Sequence, residues 1–367
     1  MSFAIVSLGT AVPATIVDQA DASEVAKKLC CRTDEQATWL PTIYAGTGVR
    51  TRRLTLDQGV LNDSMHGTQH SGSVFLPKGG DDRGPTTAER MQIYQTDSVR
   101  LALEASGQAL HQAGWSPREV THLITVSCTG FFAPGIDYAL MQGLGLLPTT
   151  SRTHVGFMGC HGALNGLRVA QAYAGSDPDA RILLCAVELC SLHYYYGWDP
   201  QKVIANAIFG DGCAAVAGMP AAAAPGNAWT VTATGSFLIP HSADAMTWTV
   251  GDHGFEMSLS KKVPGLIAQN LRPGLTTWLN RNGLQLNEVG SWAIHPGGPR
   301  ILGAVEEALG LKAEQTATAR EVFAEFGNMS SPTVLFIIER LRRDSAPRPC
   351  VALGFGPGLV AEAALFR

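Results

Sequence analysis

The sequence predicts an α/β protein made of two like halves, with a duplicated αβαβα layering of two mixed sheets and helices between them. Two observations predict it. Short apolar runs rich in β-branched residues alternate with amphipathic stretches, the pattern of buried strands and the helices that cover them. The order of these elements also recurs. Strand 122–128, the Gly159-Cys160 corner with its helix, strand 181–189 and strand 213–218 are answered by strand 291–295, the Gly327-Asn328 corner with its helix, strand 350–355 and strand 359–366. In each half about 35 residues separate the first two elements and about 24 the next two. The halves are expected at 1–219 and 228–367, joined by an Ala/Pro-rich stretch over 220–227.

Composition narrows the class. The 367 residues are 46% hydrophobic and 16% charged, which allows a large core. A net charge of -4 without a long Lys/Arg run gives no support for nucleic-acid binding. No stretch approaches the roughly 18 uncharged apolar residues of a membrane helix. The start, Met1-Ser-Phe-Ala-Ile-Val6, has no basic region before its apolar run and reads as a first strand rather than a signal peptide. Cysteines occur at 30, 31, 128, 160, 185, 190, 213 and 350, mostly inside apolar runs. There is no Cys-x-x-Cys pair and no Cys/His grouping with zinc spacing, so a reduced, cytoplasmic protein without a structural metal is expected.

Along the chain, an opening strand at about 3–8 turns through 9–13 into a helix around 20–31. Residues 59–87 are rich in Gly, Ser, His and Asp, which predicts an exposed loop or insertion and leaves its mobility open. A helix over 87–113 should close at Gly114. Length and β-branched content make 122–128 a buried strand, and 154–158 is apolar enough for a buried strand end. Small residues and leucines from Gly162 to Tyr173 have helical spacing. A buried strand over 181–189, a helix over 200–209 and a strand over 213–218 complete the first half.

The chemistry centres on the two corners. Cys160 stands between Gly159 and Gly162 at the start of a helix, where the dipole favours thiolate and lowers a thiol pKa. From this stretch alone, a reactive thiol and a small core residue are both open. His295 ends an apolar strand, and Asn328 opens a helix after Gly327. A His draws a thiol proton, and a His with an Asn amide can donate together to an oxygen that becomes anionic. Alone, each would read as a satisfied turn His or a helix cap. Their places at pseudo-equivalent ends converging on Cys160 favour the catalytic reading.

These blocks resemble the type III polyketide synthases, chalcone-synthase-like enzymes of the thiolase fold. The resemblance covers nearly the whole chain. It rests on Gly159-Cys160, Phe209-Gly-Asp-Gly212, His295-Pro-Gly-Gly-Pro299, Gly327-Asn-Met-Ser-Ser331 and Gly354-Phe-Gly-Pro-Gly358. It implies a homodimer with Cys160 as acyl nucleophile and His295 and Asn328 as its partners. Such enzymes load an acyl-CoA starter, decarboxylate malonyl-CoA, condense, repeat and cyclise, with coenzyme A thioesters as substrates and no bound cofactor or metal.

The resemblance carries over to further positions. It makes Phe209 and Met257 gates between the coenzyme A tunnel and the cavity, with Met257 where chalcone synthases have Phe. It places His193 and Thr129 on the cavity wall, Ala133 on the loop that crosses into the partner, and Gly354, Phe355, Gly356, Pro357 and Gly358 along the cyclisation cavity. For coenzyme A it implies Arg50, Arg52 and Arg53, which could equally be a solvated face, and Gly297, Gly298 and Arg300 after His295. The departures at Met257, Ala133 and His193 point to an aliphatic starter and an alkylpyrone or alkylresorcinol-type product. The alternatives are a single-condensation ketoacyl synthase III-like enzyme and a malonyl-primed aromatic polyketide synthase. The intact Cys160, His295 and Asn328 speak against a catalytically dead binding module.

Overall fold

The computed structural model describes residues 2–79 and 82–367; Met1, and Gly80 and Asp81 within the 59–87 stretch, lie outside the described residues. The first half runs β1 (Phe3–Ala11), β2 (Thr15–Asp18), α1 (Gln19–Cys30), α2 (Asp34–Ala45), β3 (Thr51–Leu54), α3 (Gln58–His66) and α4 (Thr87–Ala113). It continues with β4 (His122–Ser127), α5 (Ile136–Leu144), β5 (Ser151–Gly156), α6 (Gly162–Ser176), β6 (Ile182–Leu189), α7 (Pro200–Ile208) and β7 (Asp211–Pro220). The second half runs β8 (Trp229–Leu238), β9 (Met246–Gly251), β10 (Gly254–Leu259), α8 (Val263–Arg281), β11 (Ser291–Ile294) and α9 (Pro299–Leu309). It closes with α10 (Ala317–Phe326), α11 (Pro332–Arg343), β12 (Cys350–Gly356) and β13 (Val360–Phe366).

Strand pairing displays the duplication. In the first half β4 runs parallel to β6, β6 antiparallel to β7, and β7 antiparallel to β1. In the second half β11, β12, β13 and β8 repeat that sequence of directions. The two mixed sheets share an edge. β1 pairs with β8 over Phe3–Ile5, so hydrogen bonding is continuous across nine strands in the order β11-β12-β13-β8-β1-β7-β6-β4-β5. α6 packs on β4 and β6 and also on β12 and β13, while α11 packs on β6 and β7 and also on β11 and β12. These two helices are therefore the filling between the half-sheets, with α4 and α5 outside the first and α8 and α9 outside the second.

Local sequence explains the long elements. β6 is buried at every position, as a strand covered on both faces requires. α4 starts in a capping box between Thr86 and Glu89 and ends at Gly114 with φ +68.

Two expectations are corrected. β5 is the open edge of the sheet and largely exposed, because among the described residues no strand lies beyond it; Phe157 and Met158 just after it are each 38% exposed. The 59–87 stretch is an exposed loop only in part: 66–67, 69–72 and 78–79 are exposed, but 60–61, 63–64 and 75–76 are not. α3 lies within it, and Val60, Leu61, Phe75 and Leu76 are buried. The buried Asp63 carboxylate accepts from Thr68 Oγ1, from His70 N at 3.1 Å and from Ser71 N at 2.6 Å. The polar residues that suggested a loop are thus wound around one carboxylate, which leaves the apolar ones to face inward.

Candidate active site

Cys160 lies in a single turn, Gly159–His161, that feeds α6. Gly159 has φ +69, and a Cβ there would stand 2.5 Å from Pro357 Cδ, so glycine lets the corner seat against that proline. Gly327 on the opposite corner also has φ +69, and a Cβ there would stand 2.5 Å from Ile208 O. Asn328 N then donates to Ile208 O at 2.7 Å, and Gly210 N donates to Asn328 O at 3.0 Å. The side-chain oxygen of Asn328 accepts from Ser330 N at 2.8 Å, which fixes the amide with its Oδ1 and Nδ2 each 3.9 Å from Cys160 Sγ.

Burial dominates the electrostatics. It pushes the Cys160 thiol up to about 11, against hydrogen bonds from Ser330 and Asn328 that favour the thiolate. The expected lowering at a helix start is overturned, because the second half-sheet and its corner remove water from the sulfur. His295 is 1% exposed, and neither ring nitrogen has a hydrogen-bond partner, Cys160 included. Burial first, and the charge of His161 second, bring its imidazole down to about 3. At neutral pH burial thus favours a thiol at Cys160 and a neutral imidazole at His295, which is not among the residues lining the cavity.

Beneath the sulfur sits Glu188, fully buried on β6. Its carboxylate accepts from Cys128 N at 2.9 Å, Thr129 N at 3.0 Å, Thr129 Oγ1 at 2.7 Å and Ser331 Oγ at 2.6 Å. Burial raises its pKa, and the bonds from Ser331, Thr129 and Cys128 oppose that rise. The Ser331 bond ties the corner of the second half to the strand floor of the first.

Cys160 lines a cavity open to solvent, with about 1500 Å³ of empty space when the solvent at its mouth is included. Phe209, Met257, His193, Thr129 and Pro357 all line it, so these expected positions are gathered around the thiol. His193 stacks on Phe255 with ring centroids 4.3 Å apart. Its Nδ1 accepts from Phe255 N at 2.9 Å and its Nε2 donates to Thr129 O at 2.7 Å, an arrangement that only the neutral tautomer satisfies. Burial accordingly brings His193 down to about 3.

Other expected positions fall elsewhere. Of 354–358 only Pro357 reaches the cavity. Gly354 and Gly356 abut His161, Phe355 is buried in the core, and Gly358 O accepts from Ser242. Arg52 does line the cavity, but it is 3% exposed, and its Nη1 donates to Asn206 O and to Phe209 O at 2.9 Å. Its guanidinium braces the backbone at Phe209 and is removed from any surface cluster that would meet a phosphate. Arg50 and Arg300 are exposed, Arg53 and Gly297 are half-buried, and Gly298 is buried with φ +145. Ala133 is exposed and not part of its own chain's cavity.

Sequence reasoning missed Ser330, Trp248 and the thiols Cys128 and Cys190, which also line the cavity. Ser330 has φ +57 and shares its hydroxyl with Cys128 Sγ at 3.3 Å. Only its place two residues after Asn328 hinted at this. Trp248 comes from the β9–β10 hairpin, which carries no signal in the sequence, and its Nε1 donates to Cys128 O at 2.7 Å. Among the described residues no group of His, Cys, Asp and Glu could hold a metal ion, and no helix is long and apolar enough to cross a membrane.

A buried thiol and amide at paired corners of a doubled α/β unit, with a deep cavity before them, define an acyl-transferring enzyme of the thiolase fold. The chain belongs to the chalcone and stilbene synthases, the type III polyketide synthases. The model of that family's N-terminal domain matches residues 2–220, and that of its C-terminal domain matches 230–367.

Among its relatives, the chain is 33% identical over 371 residues to the alpha-pyrone synthesis polyketide synthase-like protein of Mycobacterium tuberculosis, covering 99% of this chain and 90% of that one. It is 31% identical over 368 residues to 1,3,6,8-tetrahydroxynaphthalene synthase of Streptomyces peucetius subsp. caesius, covering 99% and 92%. Its fold is similar to that of PKS-I from the brown alga Ectocarpus siliculosus, with TM-score 0.92, 30% identity and coverage of 100% and 98%. It is also similar to the C-terminal type III polyketide synthase domain of Steely1 from Dictyostelium, with TM-score 0.89, 26% identity and coverage of 100% and 99%.

The neutral histidines make stability depend on pH. An unfolded His binds a proton below about 6.5, whereas folded His193 does so only near 3. Stability is therefore complete above about 6.5 and falls as the pH is lowered towards 3. In urea titrations from pH 7 to pH 4, His193→Gln should lose less stability than the native chain, the difference being about one proton of uptake. Equal slopes would show that His193 titrates normally.

Proposed function

We propose that this type III polyketide synthase loads a fatty or other aliphatic acyl group from coenzyme A onto Cys160, extends it with malonyl-CoA, and cyclises it to an alkylpyrone or alkylresorcinol-type product. One observation carries the starter class. The cavity that Cys160 lines is also lined by Val17, Val25, Leu29, Leu61 and Phe75, an apolar share of its wall, here called the apolar arm, that is suited to an alkyl chain. A short or polar starter would leave that arm unfilled. Relatives named for alpha-pyrone synthesis and for tetrahydroxynaphthalene synthesis occur side by side, and the apolar arm favours the first kind of product over a malonyl-primed aromatic.

The resting thiol and imidazole support a stepwise loading. As Cys160 Sγ attacks the starter carbonyl, its proton moves to His295; the imidazolium then protonates the departing coenzyme A sulfur. In extension, loss of CO2 from the malonyl group leaves an enolate, whose oxygen requires donors. The Nδ2–H of Asn328, oriented through Ser330, and the unpaired ring of His295 are available for it in a water-poor pocket. The enolate carbon attacks the thioester and expels the Cys160 thiolate. The gate pair Phe209 and Met257 would pass the pantetheine arm, with Arg50, Arg53 and Arg300 and the Gly297-Gly298 backbone on the coenzyme A side.

A homodimer belongs to this proposal. The open edge of β5 lies beside exposed Phe131, Tyr138, Phe157 and Met158, which an isolated chain would leave to water. Ala133 sits on the same loop as Phe131. Sedimentation at the mass of a dimer is expected, and a monomer at working concentration removes this part of the proposal.

The test of the whole is a panel of acyl-CoA starters from acetyl to long-chain, each with malonyl-CoA, with products identified by mass. Medium to long starters should give the highest kcat/KM. Val25→Phe, which narrows the arm, should cost the longest starters about tenfold while sparing the short ones. Asn328→Ala should still load starter but lose about 10²–10³-fold in malonyl decarboxylation. A flat chain-length profile unaffected by Val25→Phe refutes the starter class, and normal decarboxylation by Asn328→Ala refutes the oxyanion role.

A further inference from the structure

One wall of the cavity rests on a side chain that lies outside it. Arg90 stands in the first turn of α4 and is fully buried. Among the described residues none of α4 lines the cavity, yet the Arg90 guanidinium meets three segments that do: the one carrying Phe75, residues 192–196 and the start of β10. Its Nη1 donates to Leu192 O and to Tyr194 O at 3.1 Å, the carbonyls on either side of His193. Its Nε donates to Pro85 O at 2.8 Å. The Phe75 ring lies with its centroid 5.5 Å from Cζ. Gly254, the residue before Phe255, has φ +110, and a Cβ there would stand 3.2 Å from each of Arg90 Cζ, Nε and Nη1. That backbone therefore lies over the plane of the guanidinium, where only a glycine fits.

These contacts meet at one bond of the wall. Phe255 N donates to His193 Nδ1 at 2.9 Å, and Arg90 holds both ends of it, through the carbonyls flanking His193 and the glycine ahead of Phe255. The start of α4 grips the same hairpin: Thr87 N donates to Asp252 O at 2.8 Å, and Gly254 N to Thr87 Oγ1 at 2.9 Å. A lysine could bring the charge, but not a planar fork that spans carbonyls of two segments while a third packs on its face. Burial lowers the Arg90 pKa to about 10, which leaves it a cation at neutral pH. Its Nη2 has no hydrogen-bond partner. A buried cation with an unmatched donor is a costly way to add stability, which points to placement of the wall as its task.

On the polyketide reading of this cavity, which the inference rests on, Phe75, His193, Tyr194 and Phe255 face the acyl chain. We propose that Arg90 is a positioning residue that sets this wall, and through it the discrimination among acyl chains, without touching substrate. Asn328 and Glu188 are held by other bonds, the first to Ser330 N and Ile208 O, the second from Ser331, Thr129 and Cys128. Loss of the fork should therefore move selectivity far more than it moves acylation of Cys160.

The experiment compares the native chain with three variants: Arg90→Lys, which keeps the charge without the fork, Arg90→Met, which loses both, and Gly254→Ala, which sets a Cβ against the intact guanidinium. Urea titration checks that each is folded. Acylation of Cys160 by acetyl-CoA is followed by protein mass, and kcat/KM with malonyl-CoA is measured for acetyl and long-chain starters. Acetyl loading should stay within about twofold, while the long-to-short ratio of kcat/KM should change about tenfold, through KM rather than kcat. A native ratio in folded Arg90→Lys overturns the proposal, and so does an equal loss for every starter, which is what a general structural role gives. If neither Arg90 variant folds, the ratio in Gly254→Ala decides in the same way. A native chain that condenses no acyl-CoA overturns the polyketide reading and this role with it, whereas an active native chain whose folded variants keep its ratio overturns the role of Arg90 alone.

Discussion

Glu188 holds the site together. A carboxylate with no access to water is costly unless its lone pairs are filled, and here donors from β4, from the residues after it and from Ser331 fill them. Removing any one donor should cost about 1–3 kcal/mol, since the charge cannot turn to solvent instead. Because Ser331 stands at the entry to α11 and Thr129 at the exit of β4, the bonds that satisfy Glu188 also fix the distance between the two corners. The 3.9 Å between the Asn328 amide and the Cys160 sulfur follows from that constraint.

Duplication supplies the rest of the geometry. Each half delivers a corner to the same central layer, and the buried α6 and α11 leave those corners no freedom to drift apart. The same packing that aligns the groups also dries them, which explains a raised thiol and a lowered imidazole in one site. Such a pair does not rest as ions. In the proposed mechanism the two groups exchange a proton when a thioester carbonyl arrives, and His295 and Asn328 supply donors at the oxygen where charge develops. Apolar residues of α1 and α3 line the same cavity, and the proposed function assigns them the choice of acyl chain.

Much of this was legible in the sequence where local pattern and final structure agree. α4 was readable from its caps, β6 from an unbroken apolar run, and the two corners from their recurrence at equal spacing. Features set by distant partners were not readable. The 59–87 stretch looked like a polar loop because the bonds to Asp63 that order it leave no periodic trace. Arg52 looked like a surface charge beside Arg50 and Arg53, yet β3 turns it inward onto the carbonyls at Asn206 and Phe209. The thiolate expected at Cys160 followed from the helix start alone, whereas the burial that outweighs it comes from the other half of the chain. Arg90 was passed over for the same reason, because the carbonyls it holds at Leu192 and Tyr194 lie 102 and 104 residues away.

The central claim is that the buried Cys160 carries the acyl chain. Intact-protein mass spectrometry after incubation with a long-chain acyl-CoA, followed by peptide mapping, tests it most directly. The account predicts one acyl adduct per chain, located on the peptide containing Cys160, discharged by malonyl-CoA and absent from Cys160→Ala. An adduct that persists in folded Cys160→Ala, or that maps to Cys128 or Cys190, would contradict it.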